Sequence, residues 1–165
     1  MKQITAHDVR HVQCNDLKFA VARLLSGMTS AEWDDSLPRN TRQYVLEATD
    51  LLEDSVGEAD NTGDGYMVPL DPPLTLSNGE VVSQIPLRIT NGLLRGAELV
   101  TVGDVFRVLV RASGIDELDR LDISQAFWLV RLAYYDIGMI PADKLGGTIR
   151  GESDFSDDFL GRPTA

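Results

Sequence analysis

The chain has few of the residues on which small catalytic, disulfide-bonded or metal-binding sites depend. It contains one cysteine and two histidines among 165 residues. The lone cysteine, Cys14, has no partner for a disulfide within the chain, a usage typical of a reducing compartment. No apolar run approaches the roughly 18 residues of a membrane-spanning helix, and residues 1–3 are not followed by the apolar core of a signal peptide. We therefore expect a cytoplasmic protein without membrane contact.

Sequence motifs of the common catalytic and cofactor sites are also missing. There is no Walker loop, no Gly-x-Gly-x-x-Gly motif, no nucleophile elbow and no zinc-ligand spacing. His7 and His11 are one helical turn apart, yet no third histidine or second cysteine accompanies them as a metal site would require. Residues 60–65 resemble the start of a calcium loop, but prolines follow where a ligand and an exiting helix belong. We expect a non-enzymatic protein with no cofactor and no metal.

Basic residues are few, and their placement limits the partners. The formal net charge is −11, with 15 basic and 26 acidic residues. Residues 84–137 are nearly neutral, and their six basic residues are all arginine. An acidic chain repels phosphate at long range and lacks the counterion release that supplies most non-specific affinity for nucleic acid. These charges favour a protein partner and predict that the chain binds DNA only weakly when it is alone.

The first third of the sequence predicts a pair of long helices. Thr5 with Asp8 forms a capping-box pattern, and apolar spacing predicts a helix that continues to Ser26. A second amphipathic pattern predicts a helix over residues 40–55. Trp33 lies in the short turn between them, where it either packs on the first helix or docks a partner. Residues 1–57 are thus interpreted as an N-terminal helical region.

The next stretch, residues 58–83, is rich in glycine, proline and aspartate. The pair Asn78-Gly79 stands between short apolar runs, which predicts a small β-hairpin. We interpret this stretch as a turn-rich linker.

Residues 84–140 predict a compact bundle of three helices. Proline at the start and glycine at the end predict a helix over residues 86–95. Thr101 with Asp104 forms a second capping box, and the apolar residues behind it recur at helical spacing. Asp122 opens a third helix, which ends at Gly138.

Three short motifs occur in this bundle in a recognisable order. They are Arg88-x-x-Asn91-x-Leu93, the run VGDV at residues 102–105, and the run IGM at residues 137–139. Together they resemble the C-terminal domain of the bacterial RNA polymerase alpha subunit, over residues 84–139 only. The resemblance implies a helix-hairpin-helix type fold that contacts the DNA minor groove and transcription activators or sigma factor.

Position by position, the resemblance implies a set of DNA contacts. Arg88 would enter the minor groove, and Asn91 and Gly92 would lie beside the phosphates. The family's second hairpin reads Gly-x-Lys-Ser, whereas this chain reads RLDIS at residues 120–124. Only Ser124 remains of that phosphate site, and Asp122 adds a negative charge to it.

Residues 141–165 have no sustained periodicity and are predicted to form a flexible acidic tail. Within it, Phe155, Phe159 and Leu160 are separated by acidic residues. Such a segment is either an inert solvated end or a peptide that orders in a protein groove. The three apolar residues are therefore candidates for partner binding.

The sequence thus predicts a mainly α protein with an N-terminal helical pair, a β-hairpin linker, a helical bundle and an acidic tail. We interpret it as a transcription-related adaptor that contacts RNA polymerase, sigma factor or promoter DNA. An alternative is a structural or assembly protein, for example a viral or phage component, that packs against neighbouring subunits or copies of itself. A further alternative is an inhibitor whose acidic surface mimics DNA.

Overall fold

The computed structural model describes residues 3–53 and 57–151. Four short 3-10 turns interrupt the longer elements. The α-helices are α1 (Leu17–Ser26), α2 (Ser30–Asp35), α3 (Pro38–Glu53), α4 (Asn91–Leu94), α5 (Val102–Ser113) and α6 (Ile123–Asp136). The strands are β1 (Gly57–Asn61), β2 (Tyr66–Thr75), β3 (Val81–Leu87) and β4 (Gly147–Arg150).

The strands form one mixed sheet of four strands in the order β3-β2-β1-β4. β1, β2 and β3 pair antiparallel in sequence order, whereas β4 pairs parallel with β1. The parallel pair needs a long crossover, and the chain supplies it with α4, α5 and α6. One hairpin turn connects β1 to β2 at residues 62–65, and a second connects β2 to β3 around Gly79, whose φ is 88°.

The helices cover the sheet and bury one continuous hydrophobic cluster. α5 packs on β3, and α6 lies along the sheet with Gln125 reaching Pro72 at one end and Asp136 reaching Tyr66 at the other. α1 and α3 pack against each other, and α3 also contacts α6. Buried residues from Ile4 to Leu145 join the same cluster.

The mainly α prediction is wrong, because the chain forms a mixed α/β fold around the sheet. The predicted linker contains β1, β2 and the start of β3, so it is the centre of the fold and not a connection. The predicted acidic tail contains β4, which pairs with β1 over its whole length. The sequence of β1, Gly-Glu-Ala-Asp-Asn, has a composition typical of turns. Its partner β4 lies some 90 residues later, so the pairing produces no pattern in the sequence around β1.

Two predicted helices also differ from the structure. The helix from Thr5 to Ser26 is broken into two 3-10 turns before α1, because residues 10–14 instead make backbone hydrogen bonds to residues 100–103. The helix over residues 86–95 is replaced by the end of β3 and the single turn of α4. Pro86 lies in β3, which is an edge strand, where its missing N–H costs no ladder bond.

Several local predictions are confirmed. The capping box of Thr101 and Asp104 starts α5, Asp122 caps α6, and Gly138 follows α6 with a φ of 83°. The hairpin at Asn78-Gly79 is also confirmed, although its strands are longer than the sequence suggested.

Candidate functional site: an arginine-lined groove on α5

An open groove of about 770 Å³ lies beside α5. One wall is the N-terminal segment, and the other is the connection between α4 and α5 at residues 93–98. We call it the α5 groove. Four arginines line it: Arg10, Arg95, Arg107 and Arg111.

The helix itself places two of these arginines on the same side. Arg107 and Arg111 are one turn apart on α5, so both project over the groove. The buried side chains of this helix, Val105 and Leu109 among them, face the core and leave no freedom for α5 to rotate. The spacing of apolar and basic residues on one helix therefore fixes the position of the guanidinium pair.

The N-terminus of α5 is held by a buried carboxylate. Asp104 accepts hydrogen bonds from the backbone N–H of Thr101 at 3.0 Å and of Val100 at 3.2 Å. The Thr101 hydroxyl in turn accepts from the N–H of Asp104 at 3.1 Å. The N–H of Thr101, followed by that of Val100, lowers the pKa of Asp104 below its ordinary value despite burial. Arg107 also pairs with Asp104, and this contact positions its exposed guanidinium.

A close backbone contact forms the wall on the N-terminal side. The N–H of Gly103 donates to the carbonyl of Arg10 at 2.9 Å, and the N–H of Val102 donates to that of Val12 at 2.9 Å. A Cβ at position 103 would lie 2.8 Å from the Arg10 oxygen, so only glycine allows this approach. The Arg10 side chain is turned back onto the carbonyl of His7 at 2.7 Å.

Four acidic residues, Glu98, Asp104, Asp116 and Asp119, line the groove beside the four arginines. Asp104 pairs with Arg107, and Asp119 lies 3.0 Å from the His7 ring. Among the described residues, the side chains of Arg95 and Arg111 have no ion pair or hydrogen bond. The formal charges that line the α5 groove therefore balance, four basic against four acidic, in a chain of formal charge −11.

The lining chemistry is that of a binding surface. Guanidinium groups recognise carboxylates and phosphates through paired hydrogen bonds. Apolar residues that include Leu93, Phe106 and Val110 also line the groove, so it can accept a ligand with both charged and apolar groups. No cysteine, histidine, serine or lysine is among its lining residues.

The residues singled out by the polymerase resemblance are only partly brought together. Arg88, Asn91 and Gly92 are exposed; Arg88 directly follows β3, and Asn91 and Gly92 begin α4, which Thr90 caps. The guanidinium of Arg88 lies 3.8 Å from the carboxylate of Asp64. These residues are adjacent in sequence to Leu93 and Arg95 of the α5 groove.

Ser124 lies elsewhere, at the N-terminus of α6. Its N–H and its hydroxyl both donate to Asp122, so the helix end is capped by the chain's own carboxylate. Ser124 lines a smaller cavity of about 280 Å³ with Trp128, at the opposite end of α6 from Asp136. A helix of the length of α6 spans roughly 20 Å. At its far end Asp136 accepts a hydrogen bond from the Tyr66 hydroxyl, and Tyr66 pairs with Leu87, which precedes Arg88. Ser124 and Arg88 therefore lie near opposite ends of α6.

The remaining candidates have simpler positions. Trp33 is half-buried and packs against the hydrophobic cluster. Phe155, Phe159 and Leu160 lie outside the described residues. Among residues 3–53 and 57–151, no group of three or more metal-ligating side chains comes together. In that same part of the chain no helix is long and apolar enough to cross a membrane.

Sequence reasoning did not find the α5 groove, because its walls come from three separate segments. One signal for it was present in the sequence. The basic residues of the nearly neutral stretch 84–137 are all arginine, and two of them, Arg107 and Arg111, have the spacing of one helical turn.

Comparison with known proteins gives no relative. No protein-family model matches the chain, and no match is found among the curated proteins or the solved structures.

Proposed function

We propose that the chain is a non-enzymatic adaptor that binds a protein partner in the α5 groove, and that the partner belongs to the transcription machinery. The observation that carries the first part is the position of Arg95 and Arg111, which have no partner among the described residues, on a groove that apolar residues also line. Guanidinium groups without a partner in the described part of the chain can recognise acidic groups of another molecule.

The order of motifs supports the choice of partner. The segment with the resemblance to the polymerase alpha C-terminal domain includes α4, α5 and α6, and the VGDV motif of that resemblance lies at the start of α5. In that family such helices contact sigma factor and promoter DNA. The groove lies between α4 and α5 of this same segment.

The net charge favours a protein contact over autonomous DNA binding. Asp122 caps the helix end where the family holds a phosphate, and the chain as a whole repels a polyanion. Acidic surface residues on a polymerase subunit or sigma factor carry a lower charge density than a phosphate backbone, so they would meet the arginines against less long-range repulsion.

Binding to purified bacterial RNA polymerase holoenzyme, to sigma factor alone and to an A·T-rich promoter duplex tests the proposal. We expect the wild-type chain to bind the holoenzyme and the variant Arg95→Glu/Arg111→Glu to bind at least about tenfold more weakly, since two charges change sign. The matched control is Arg39→Glu/Arg42→Glu, the same change at exposed positions on α3. The control should bind as the wild type does.

Two results would overturn the proposal. The first is no binding to any of the three targets by a wild-type chain with a normal far-ultraviolet circular dichroism spectrum. The second is equal binding by both double variants. Arg88→Ala adds a test of the DNA contact, because loss of duplex binding in this variant alone would assign the interaction to the end of β3.

A second candidate function, assembly with copies of this chain, is supported by a separate observation. Phe19 on α1, Leu37 before α3 and Leu46 on α3 are 54%, 49% and 46% exposed. α1 and α3 pack together, so these large apolar side chains belong to one helical layer. Contiguous exposed apolar patches mark contact surfaces, and these three side chains are proposed to form one.

A further inference from the structure

We propose that two copies of this chain pair through the solvent-facing side of α3, with the two helices antiparallel and Leu46 of each copy near the two-fold axis. The inference rests on the second candidate function, assembly with copies of this chain, and names the surface and its geometry. α3 contacts α1 and α6 on the side that holds its buried residues, Thr41, Ala48 and Leu52. The residues of its opposite side are exposed, and we call them the α3 face: Arg39, Arg42, Gln43, Leu46, Asp50 and Glu53.

The spacing along the α3 face is that of a seam between two helices. Steps of four and three residues alternate through Arg39, Gln43, Leu46, Asp50 and Glu53. This is the average period of 3.5 residues at which two helices stay in contact along their length. α3 has 16 residues and is therefore roughly 24 Å long. A second helix can thus lie along the α3 face from one end to the other.

The charged residues of α3 are divided by Leu46. Both basic residues, Arg39 and Arg42, precede it, and the three acidic residues follow it at positions 47, 50 and 53. The side chains of Arg39, Arg42 and Asp50 have no ion pair or hydrogen bond among the described residues. Parallel helices would place like charges opposite each other, whereas antiparallel helices place the arginines of each copy opposite the carboxylates of the other. The charge distribution therefore selects the antiparallel arrangement.

The exposed apolar side chains fit the same arrangement. Leu37 directly precedes α3 and marks one end of the helix. Phe19 follows Lys18, whose Nζ lies 4.0 Å from the carboxylate of Glu53 at the other end. Antiparallel pairing brings the Leu37 end of each copy to the Phe19 end of the other and places the two Leu46 side chains together. Such a contact uses the same surface on both copies, as a closed two-fold dimer requires.

Sedimentation equilibrium of the full chain and two charge variants tests this pairing. The first variant is Arg39→Glu/Arg42→Glu, and the second is Asp50→Arg/Glu53→Arg. We expect the dimer dissociation constant of each variant alone to be at least about tenfold above that of the wild type, because like charges then meet at both ends of the seam. An equimolar mixture of the two variants should form a one-to-one heterodimer, because the acidic face of one meets the basic face of the other.

The matched control reverses two arginines outside this surface. Arg95→Glu/Arg111→Glu should dimerise as the wild type does, because no residue of α3 lines the α5 groove. For the same reason, pairing through the α3 face and partner binding in the groove are separate measurements.

Three results would overturn the proposal. A wild-type dimer that neither variant weakens would place the contact elsewhere on the chain, which leaves assembly in place and removes the α3 face. A mixture that forms no heterodimer, from variants with the circular dichroism spectrum of the wild type, would exclude the antiparallel pairing. A wild type that stays monomeric at every concentration would overturn both this pairing and the second candidate function.

Discussion

At the residue scale, the large side chain of Trp128 packs where two glycines leave room for it. Its indole lies over Gly57 of β1 and Gly147 of β4, and its Nε1–H donates to the carbonyl of Glu58 at 3.1 Å. A Cβ at either glycine would overlap the ring. The two glycines are therefore needed for space and not for backbone conformation.

We predict that Gly57→Ala lowers the free energy of unfolding by about 1–3 kcal/mol, because the methyl group forces the indole away from the sheet. Thermal unfolding followed by circular dichroism measures the change. The control is Gly92→Ala on α4, where the nearest side-chain atom to the new Cβ is Thr90 Oγ1 at 3.7 Å, an ordinary contact. Equal midpoints for the two variants would contradict this role for Gly57.

A second residue-scale prediction concerns Asp104. Its pKa is lowered in the folded state, so its stabilising contribution is complete above the ordinary aspartate value of about 3.9 and is lost as pH falls through the folded-state value. Asp104→Asn should cost about 1–2 kcal/mol near neutral pH, since charge-assisted hydrogen bonds to the helix start are removed.

Denaturant unfolding of wild type and Asp104→Asn at a series of pH values checks this. The difference in stability should shrink as the pH falls below about 4. A difference that stays constant with pH would show that the charge of Asp104 does not contribute.

At the element scale, the side chain of Arg150 helps to attach β4 to β1. Arg150 donates from Nη1 to Glu58 at 2.7 Å and from Nε to Asp60 at 2.6 Å, which ties β4 to β1. These contacts are exposed, so their effect on global stability is small. They hold a short edge strand whose other side is unpaired within the described residues.

We predict that Arg150→Met speeds hydrogen exchange in β4 severalfold while the thermal midpoint of the whole protein barely moves. Hydrogen–deuterium exchange with mass spectrometry resolves the peptide that covers residues 145–151. Arg111→Met, a matched loss of an exposed arginine on α5, should leave that peptide unchanged. Unaltered exchange in Arg150→Met would mean that backbone pairing alone secures β4.

Elements with local signals could be predicted from the sequence, and elements without them could not. Caps such as Thr101 with Asp104 act within one turn, so the start of α5 was predicted correctly. The β2–β3 hairpin was found through Asn78-Gly79 for the same reason. β1 and β4 are short, polar or glycine-rich, and are strands only because they pair with each other and with β2 across the chain. The α5 groove depends on that tertiary arrangement, so it could not be predicted either.

At the scale of the whole molecule, the exposed apolar layer of α1 and α3 predicts self-association. Sedimentation velocity should show a concentration-dependent dimer or larger species for the wild type. Phe19→Asp/Leu46→Asp should remain monomeric, because charges in a buried apolar contact are costly. The control is Val81→Asp on β3, which alters a side chain that is 60% exposed outside this layer. A wild-type monomer at all concentrations would exclude assembly through this surface.

The parallel pairing of β1 with β4 also determines when the fold can be completed during synthesis. β1, β2 and β3 leave the ribosome one after another and can join as neighbours at once. The open side of β1 has no partner until residue 150 has emerged, so the nascent chain carries an unprotected strand edge while the helices between β3 and β4 are being made. A pause in elongation between α5 and β4 would lengthen that exposure and with it the opportunity for chaperone binding or aggregation.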